Sequence, residues 1–333
     1  MFLLTSDLHF TDKVADRYRF GVLNWLARQV RSNTKIKGVL LLGDLTDEKD
    51  NHSSELVNKI VKGLTEISEI SPVYILKGNH DYIDETNPFF GFLSNLDNIH
   101  FITDPKKIKI DGERLTFLPH TRNPYKDWNE LDDAYFNDAD YIFLHQTLQG
   151  SLSSNGTEME GMEKSYFEDL DALIISGDIH VPQKLGNIEY VGTPYRVRFG
   201  DNFEPRVMLV ESPDKVSNLK YPCLKKHTVV IKEAGELYKS NIDEGDQVKV
   251  RLSLSKADVV DWKKYKQEVI NACDDLGFQL HGVELVVKKR KELKSSEDTP
   301  KVTINKAPLE IFRDFCEVNK IDSNMAAYGR KLI

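Results

Sequence analysis

The 333-residue chain has little cysteine: Cys223, Cys273 and Cys316, odd in number and far apart. They make neither a disulfide framework nor the paired spacing of a zinc site, so reduced thiols in a cytosolic protein are the expected state. Long apolar runs are missing too, and no segment is expected to span a membrane. No signal-peptide pattern opens the chain, which enters an apolar run at once and reaches Asp7. No internal repeat is visible. An excess of positive charge is also lacking. The 45 Lys and Arg are outnumbered by 53 Asp and Glu, giving a formal charge of -8. That counts weakly against a free-standing protein that coats nucleic acid, though not against local basic patches. The length allows two domains or one large domain with an appendage.

What the chain does have is a recurring pattern. Leu40-Leu41-Leu42 runs into Gly43-Asp44-Leu45-Thr46-Asp47. Phe2 to Ser6 runs into Asp7-Leu8-His9, and Val73 to Leu76 into Gly78-Asn79-His80-Asp81. Tyr141 to Leu144 ends at His145, and Ala172 to Ile175 runs into Gly177-Asp178-Ile179-His180. Short apolar runs bounded by turn residues suggest interior strands, although periodicity alone does not exclude helix. In open α/β sheets, ligands bind at the carboxyl ends of strands. One Asp or His at such an end is more often a turn former. Five such ends in succession are not explained that way, because a bland turn could use Asn, Gly or Ser at any of them. The residue types are hard or borderline ligands suited to Mn, Fe or Zn.

This series resembles the calcineurin-like metallophosphoesterase superfamily, whose pattern is D-x-H, G-D-x-x-D, G-N-H-D/E, a lone His, then G-H-x-H. The matching residues are Asp7 and His9; Gly43, Asp44 and Asp47; Gly78, Asn79, His80 and Asp81; His145; and Gly177, Asp178 and His180. The match spans roughly the first 200 residues. Asp178 departs from it, standing where the family usually has His. The resemblance implies two divalent metal ions, Mn2+ or else Mg2+. Asp7, His9, Asp44 and His180 would hold the first, and Asp44, Asn79, His145 and Asp178 the second. His80 would face the scissile phosphate and assist the leaving oxygen, with Asp81 orienting its ring or holding its loop. A carboxylate at position 178 still binds Mn or Mg but should disfavour Zn; the alternative is that Asp178 caps a turn and the second metal is weakly held.

Along the chain, residues 16–33 read as a helix with Phe20, Leu23, Ala27 and Val30 on one face. A second helix is expected after Ser53 as N-cap, with Leu56, Ile60 and Leu64 buried. Strands alternating with helices indicate a layered α/β fold. A short helix is expected over 88–96, and strands over 99–102, 107–110 and 114–118 with a turn at Asp111-Gly112. His120 in the following loop has a structural or a functional reading. Residues 149–164, rich in Gly and Ser, read as a mobile loop or a surface excursion. Residues 213–225 look like a linker. Beyond it, a strand over 247–254, a helix over 258–276 and a strand over 282–287 outline a small β-α-β domain within 226–290. Lys288-Lys289-Arg290-Lys291 is a solvated face or a phosphate contact. Residues 291–300 read as a tether. Leu309, Ile311, Phe312 and Phe315 form an apolar stripe that seeks a partner or docks on the chain's own core.

Within the superfamily the chain looks most like the Mre11/SbcD nuclease branch, which includes phage-encoded members. His52 lies where that branch has a His facing the DNA phosphate, and residues 192–199 resemble its segment after the last metal ligand. The resemblance implies a layered α-β-β-α sandwich over 1–212, a capping domain over 226–290 and a helical partner-binding segment over 301–333. It also implies DNA as substrate, a Rad50/SbcC-type ATPase as partner, a possible homodimer and, for a phage-encoded protein, the host cytoplasm. A stand-alone phosphodiesterase or phosphatase for small substrates would need neither cap nor partner segment. An idle scaffold is the further alternative if Asp178 disables the site.

Overall fold

The computed structural model describes residues 1–128, 131, 133–287, 312 and 316. Four parallel strands open it: β1 (Phe2–Thr5), β2 (Gly38–Leu41), β3 (Val73–Leu76) and β4 (Ile99–Ile102). Helices α1 (Gly21–Ser32) and α2 (Ser54–Ser68) make the first two crossovers. The Ser53 hydroxyl caps α2 by accepting from Leu56 N at 3.1 Å, as expected. The expected helix over 88–96 is a 3-10 helix, Phe89–Asn95.

The chain then builds a second sheet. β5 (Lys106–Ile110) and β6 (Glu113–Leu118) form a hairpin whose turn residues, Asp111 and Gly112, have φ of 49° and 92°. Two short helices, α3 (Pro124–Asp127) and α4 (Asp133–Asn137), lead to β7 (Tyr141–His145). β8 (Leu173–Gly177), β9 (Gln183–Leu185) and β10 (Ile188–Tyr190) complete it, in the order β5-β6-β7-β8-β10-β9. The chain returns to the first sheet through β11 (Val207–Ser212), antiparallel to β1, and β12 (Lys215–Leu219), antiparallel to β11, so that sheet runs β12-β11-β1-β2-β3-β4. The stretch 213–225 is therefore not a plain linker, because its middle is an edge strand. Its alternating exposed residues carry no apolar periodicity that could have announced it.

Strand alternation explains the layering. Phe2, Leu4, Leu40 and Leu42 point between the sheets, where they meet Phe117, Tyr141, Phe143 and Ile175. Leu3, Val39, Leu41 and Ile75 point the other way, onto Leu23, Leu26, Ala27, Leu56, Ile60 and Leu64 of the two helices. Ile142, Leu144 and Ile174 face a third cluster with Trp128, Phe136 and Phe167. Strands covered on both faces read as unbroken apolar runs, which is why the sequence shows them so clearly. The result is a layered α/β sandwich.

The small domain adds one strand to the expected β-α-β. Its sheet is β13 (Lys226–Ile231), β14 (Gln247–Leu254) and β15 (Gln279–Val287), all parallel, with α5 (Trp262–Asp275) between the last two. Residues 1–288 form one compact unit. The basic run, the tether and the segment 301–333 lie outside the described residues, except Phe312 and Cys316. Among the described residues no helix is long and apolar enough to cross a membrane.

Candidate metal centre

The five predicted strand ends gather at one rim of the sandwich. β1, β2 and β3 are parallel neighbours in one sheet, and β7 and β8 in the other. Their carboxyl-end loops are stitched together by backbone bonds. Asp7 N donates to Gly43 O and His9 N to Asp44 O, each at 3.0 Å. The Ser6 hydroxyl donates to Leu42 O at 2.8 Å within the first sheet, and across the sheets the His145 ring donates to the same oxygen at 2.5 Å. That second bond places the His145 proton on Nδ1 and leaves Nε2 as a lone pair aimed at the rim.

The backbone here is bent out of the ordinary regions. Asp7, His9, Asp44 and Asp178 have φ of 55°, 43°, 56° and 76°. Side-chain-bearing residues rarely hold such angles unless their surroundings over-determine them, and such residues cluster at functional sites. Two glycines make the crowding possible. A Cβ on Gly43 (φ 97°) would overlap the His145 ring, and one on Gly78 would overlap the Asp44 carboxylate.

Three sets of side chains bring potential ligand atoms within 4.8 Å of one another: Asp7, His9 and His180; His9, Asp44 and His80; and Asp7, Asp44 and His145. Asp44 links them. It lies 3.6 Å from His9 Nε2 on one side and 3.4 Å from His145 Nε2 on the other. His9 Nε2 and His180 Nε2 are 3.0 Å apart. Asp178 belongs to none of the three sets, but its Oδ1 lies 3.8 Å from His145 Nε2 and its Oδ2 accepts from the Thr147 hydroxyl. Asn79 can serve in two ways. With nitrogen inward, it donates to both Asp44 oxygens and to His145 Nε2; with oxygen inward, it sits 3.1 Å from His145 Nε2 as one more acceptor.

The charges at this rim lack compensation. Both Asp7 oxygens are buried without a hydrogen-bond partner. Burial pushes the Asp7 carboxyl up to about 8, with His145 opposing and the Asp44 charge adding to the shift. Asp44 is raised well above the usual carboxylate range, by burial and then by Asp81. Burial lowers His9 to about 4 and His180 to about 2. The pocket thus resists charge of either sign on its own side chains. It holds oxygen and nitrogen acceptors and no cysteine, a donor set that divalent Mn, Mg, Fe or Zn fits.

Asp81 does not orient the His80 ring. Its carboxylate is fully buried and accepts from three backbone N–H groups: Gly78 at 2.7 Å, Asp44 at 2.9 Å and Leu45 at 3.0 Å. It locks the β2 and β3 loops together. The ring of His80 is held by Asp47, whose carbonyl lies 2.6 Å from His80 Nδ1. The Asp47 carboxylate sits 3.5 Å from His9 Nδ1, a contact that depresses its pKa strongly. Asp47 was visible in the sequence as the last letter of G-D-x-x-D, yet nothing in the letters alone gave it two rings to brace. Thr147 had no signal at all.

His52 is placed elsewhere. Its ring packs on Phe89 and Phe90, with centroids at 4.5 and 5.2 Å, and its Nε2 lies 3.3 Å from Lys49 O. None of these partners is a candidate ligand, and the half-exposed ring is held at the edge of this aromatic pair. His120 accepts or donates at 2.8 Å with the Tyr82 hydroxyl, and its ring lies 6.1 Å from that of His145.

The family model for calcineurin-like phosphoesterases matches residues 1–182. The chain belongs to that family. Members are metal-dependent hydrolases with a dinuclear divalent site, and the clustered acceptors are its candidate ligands. The chain is 27% identical over 196 residues to putative phosphoesterase 244L of invertebrate iridescent virus 6, covering 55% of this chain and 67% of that one. It is 22% identical over 211 residues to exonuclease subunit 1 of Enterobacteria phage T4, covering 60% and 61%. It therefore spans about two thirds or less of these relatives' own lengths. A solved archaeal phosphodiesterase covers 66% of this chain and 98% of its own at 11% identity, with a TM-score of 0.37.

Proposed function

We propose that this phosphoesterase is a DNA nuclease subunit. It hydrolyses DNA phosphodiester bonds with two divalent ions, Mn2+ by preference, and works with a Rad50/SbcC-type ATPase in DNA end processing. The observation that carries the metal-dependent chemistry is the pair of orphaned Asp7 oxygens beside Asp44, whose carboxylate lies between two histidines. The nuclease reading draws support from the likeness to a phage exonuclease subunit and from the small domain that follows the sandwich.

Asp7, His9, Asp44 and His180 would hold one ion, and Asp44, Asn79, His145 and Asp178 the other. Bound there, the ions would make a water acidic enough to attack at neutral pH and offset charge developing on the phosphate. The chain's own residues supply the rest. His80 Nδ1 is committed to the Asp47 carbonyl, which leaves Nε2 to hand a proton to the leaving oxygen when the ring is cationic. The His80 backbone N–H donates to Asp44 Oδ1 at 2.8 Å, so the ring and the shared carboxylate keep fixed relative positions. Asp47 and Asp81 hold the loops in register.

The second reading is a stand-alone enzyme for small phosphoesters, favoured by the higher identity to a viral putative phosphoesterase. Digestion of duplex DNA ends in Mn2+, with and without the ATPase, separates the two. Release of nucleotides, increased by the ATPase, supports the nuclease. Turnover of a nitrophenyl phosphodiester with intact DNA favours the small-substrate enzyme. Inactivity on both would leave the scaffold reading.

A further inference from the structure

A second buried polar cluster lies beside the first, at the contact between the sandwich and the small domain. Asp16 and Arg19 sit on the 3-10 helix Val14–Phe20, and Lys226 is the first residue of β13. All three are buried, at 6%, 2% and 6% exposure. Asp16 Oδ1 is shared between Arg19 at 3.0 Å and Lys226 Nζ at 2.8 Å. Both cations also reach Val197 O, Arg19 at 2.9 Å and Lys226 at 3.1 Å. Arg19 spends its remaining terminal nitrogen on the main-chain carbonyl of His9. The neighbouring carbonyl, Leu8 O, accepts from the Tyr195 hydroxyl. Two further bonds seat the small domain on the same region: Gln247 to Ala15 O and Thr228 to Phe199 O.

His9 is one of the residues whose φ is left-handed. Such a backbone persists only when its surroundings hold it there, and Arg19 is a group that holds it. Buried ion triads contribute little net stability compared with apolar packing, so one that is retained is better explained by the arrangement it fixes. Here that arrangement joins the small domain's first strand to the backbone of a candidate metal ligand.

We infer that Lys226 is a positioning residue for the metal position formed by Asp7, His9 and His180, acting through Asp16 and Arg19 on the His9 backbone. Seating of the small domain and cation affinity at that position are thereby coupled. The inference rests on the divalent-metal reading of the rim. Coupling is reciprocal, so the cation should also tighten the small domain's seat.

Calorimetric titration of the full chain with Mn2+ tests it, using wild type, Lys226→Met and, as control, Lys225→Met. Lys225 is the adjacent exposed residue, paired with Asp243 at 2.9 Å. Lys226→Met leaves Asp16 and Arg19 as a one-to-one pair. It should keep two equivalents, one weakened about tenfold, within the usual range of coupling between sites, and the other unchanged; Lys225→Met should match wild type. Two wild-type affinities in Lys226→Met, or equal weakening of both, would overturn the coupling while leaving the metal reading intact. A wild type that binds no Mn2+ would overturn both. Hydrogen exchange of the wild type gives a readout independent of the variant's folding. Mn2+ should slow exchange in residues 14–20 and 226–231, and unchanged exchange in both stretches would contradict the coupling.

Discussion

The two buried polar clusters make opposite uses of charge. At Asp16, Arg19 and Lys226, one carboxylate is shared by two cations, and the surplus positive charge faces carbonyls. The Arg19 Nε is the one atom of the three side chains left without an acceptor. At the rim, carboxylates and imidazoles face one another, and neither Asp7 oxygen has a donor. Apart from Arg19 Nε, the first cluster is satisfied by the chain, and it serves its architecture. The second is unsatisfied by the chain, and a cation is what its acceptors match. Burial of polar groups does not distinguish a structural cluster from a ligand site; here the difference is that both oxygens of the buried Asp7 carboxylate are left over, whereas both Asp16 oxygens are bonded.

The largest effect expected from breaking this contrast is on activity. Asp44→Asn should cut Mn2+-dependent hydrolysis of a phosphodiester by at least about a thousandfold, equivalent to roughly 4 kcal/mol of barrier, because both candidate positions lose a charged ligand. Wild-type rates in the variant, with metal-free controls inactive, would remove Asp44 from its bridging role.

Stability should separate the clusters next. Asp16→Asn leaves two buried cations short of an anion and should lower urea-measured stability by about 3–5 kcal/mol. Asp7→Asn should do no such harm to metal-free protein. The Asp7 carboxyl is raised from an ordinary 3.8 to about 8, so its stabilising contribution is fully present below about pH 4 and is lost progressively as pH rises from there to about 8. The variant should therefore match wild type at about pH 4 and exceed it by a margin that grows up to about pH 8. Equal losses in Asp16→Asn and Asp7→Asn would erase the distinction.

The same sign governs metal binding. His9 and His180, lowered to about 4 and 2, are already neutral at pH 6. Protons displaced between about pH 6 and 8 should come from the carboxyls, Asp7 above all. The rise in Tm caused by Mn2+ should grow across that window. A constant rise would show that Asp7 is ionised before the ion arrives.

Much of the site was legible because buried parallel strands spell unbroken apolar runs. Each run stops on a residue that cannot continue it, so Asp7, Asp44, Asn79, His145 and Asp178 were visible as endings. Pairing was not legible. Nothing in the letters says that β7 and β8 belong to a different sheet from β1, β2 and β3, since periodicity gives a strand's faces but not its neighbours. β12 went unseen because an edge strand with exposed Lys215, Ser217 and Asn218 looks like a linker. β13 went unseen because only Lys226 and Ile231 of its six residues are fully buried. The packing of His52 on Phe89 and Phe90 was not legible, because order along the chain says nothing of those rings. The Asp16–Arg19–Lys226 cluster had no sequence signal, since its third member arrives 207 residues after Arg19.

The smallest expected effect is at Asp178. Restoring the usual family residue, Asp178→His, should retain two metal equivalents and shift preference towards softer ions by several-fold, following ligand hardness. Competition between Mn2+ and Zn2+ in the titration reads that shift. An unchanged preference would assign Asp178 to its Thr147 hydrogen bond alone.

Anomalous diffraction from Mn2+-soaked crystals of the full chain tests the metal centre most directly. Two peaks about 3.5–4 Å apart are expected, one among Asp7, His9 and His180 and the other against Asn79, His145 and Asp178, with Asp44 touching both. A rim without density, or a single ion that leaves both Asp7 oxygens without a partner, would contradict it.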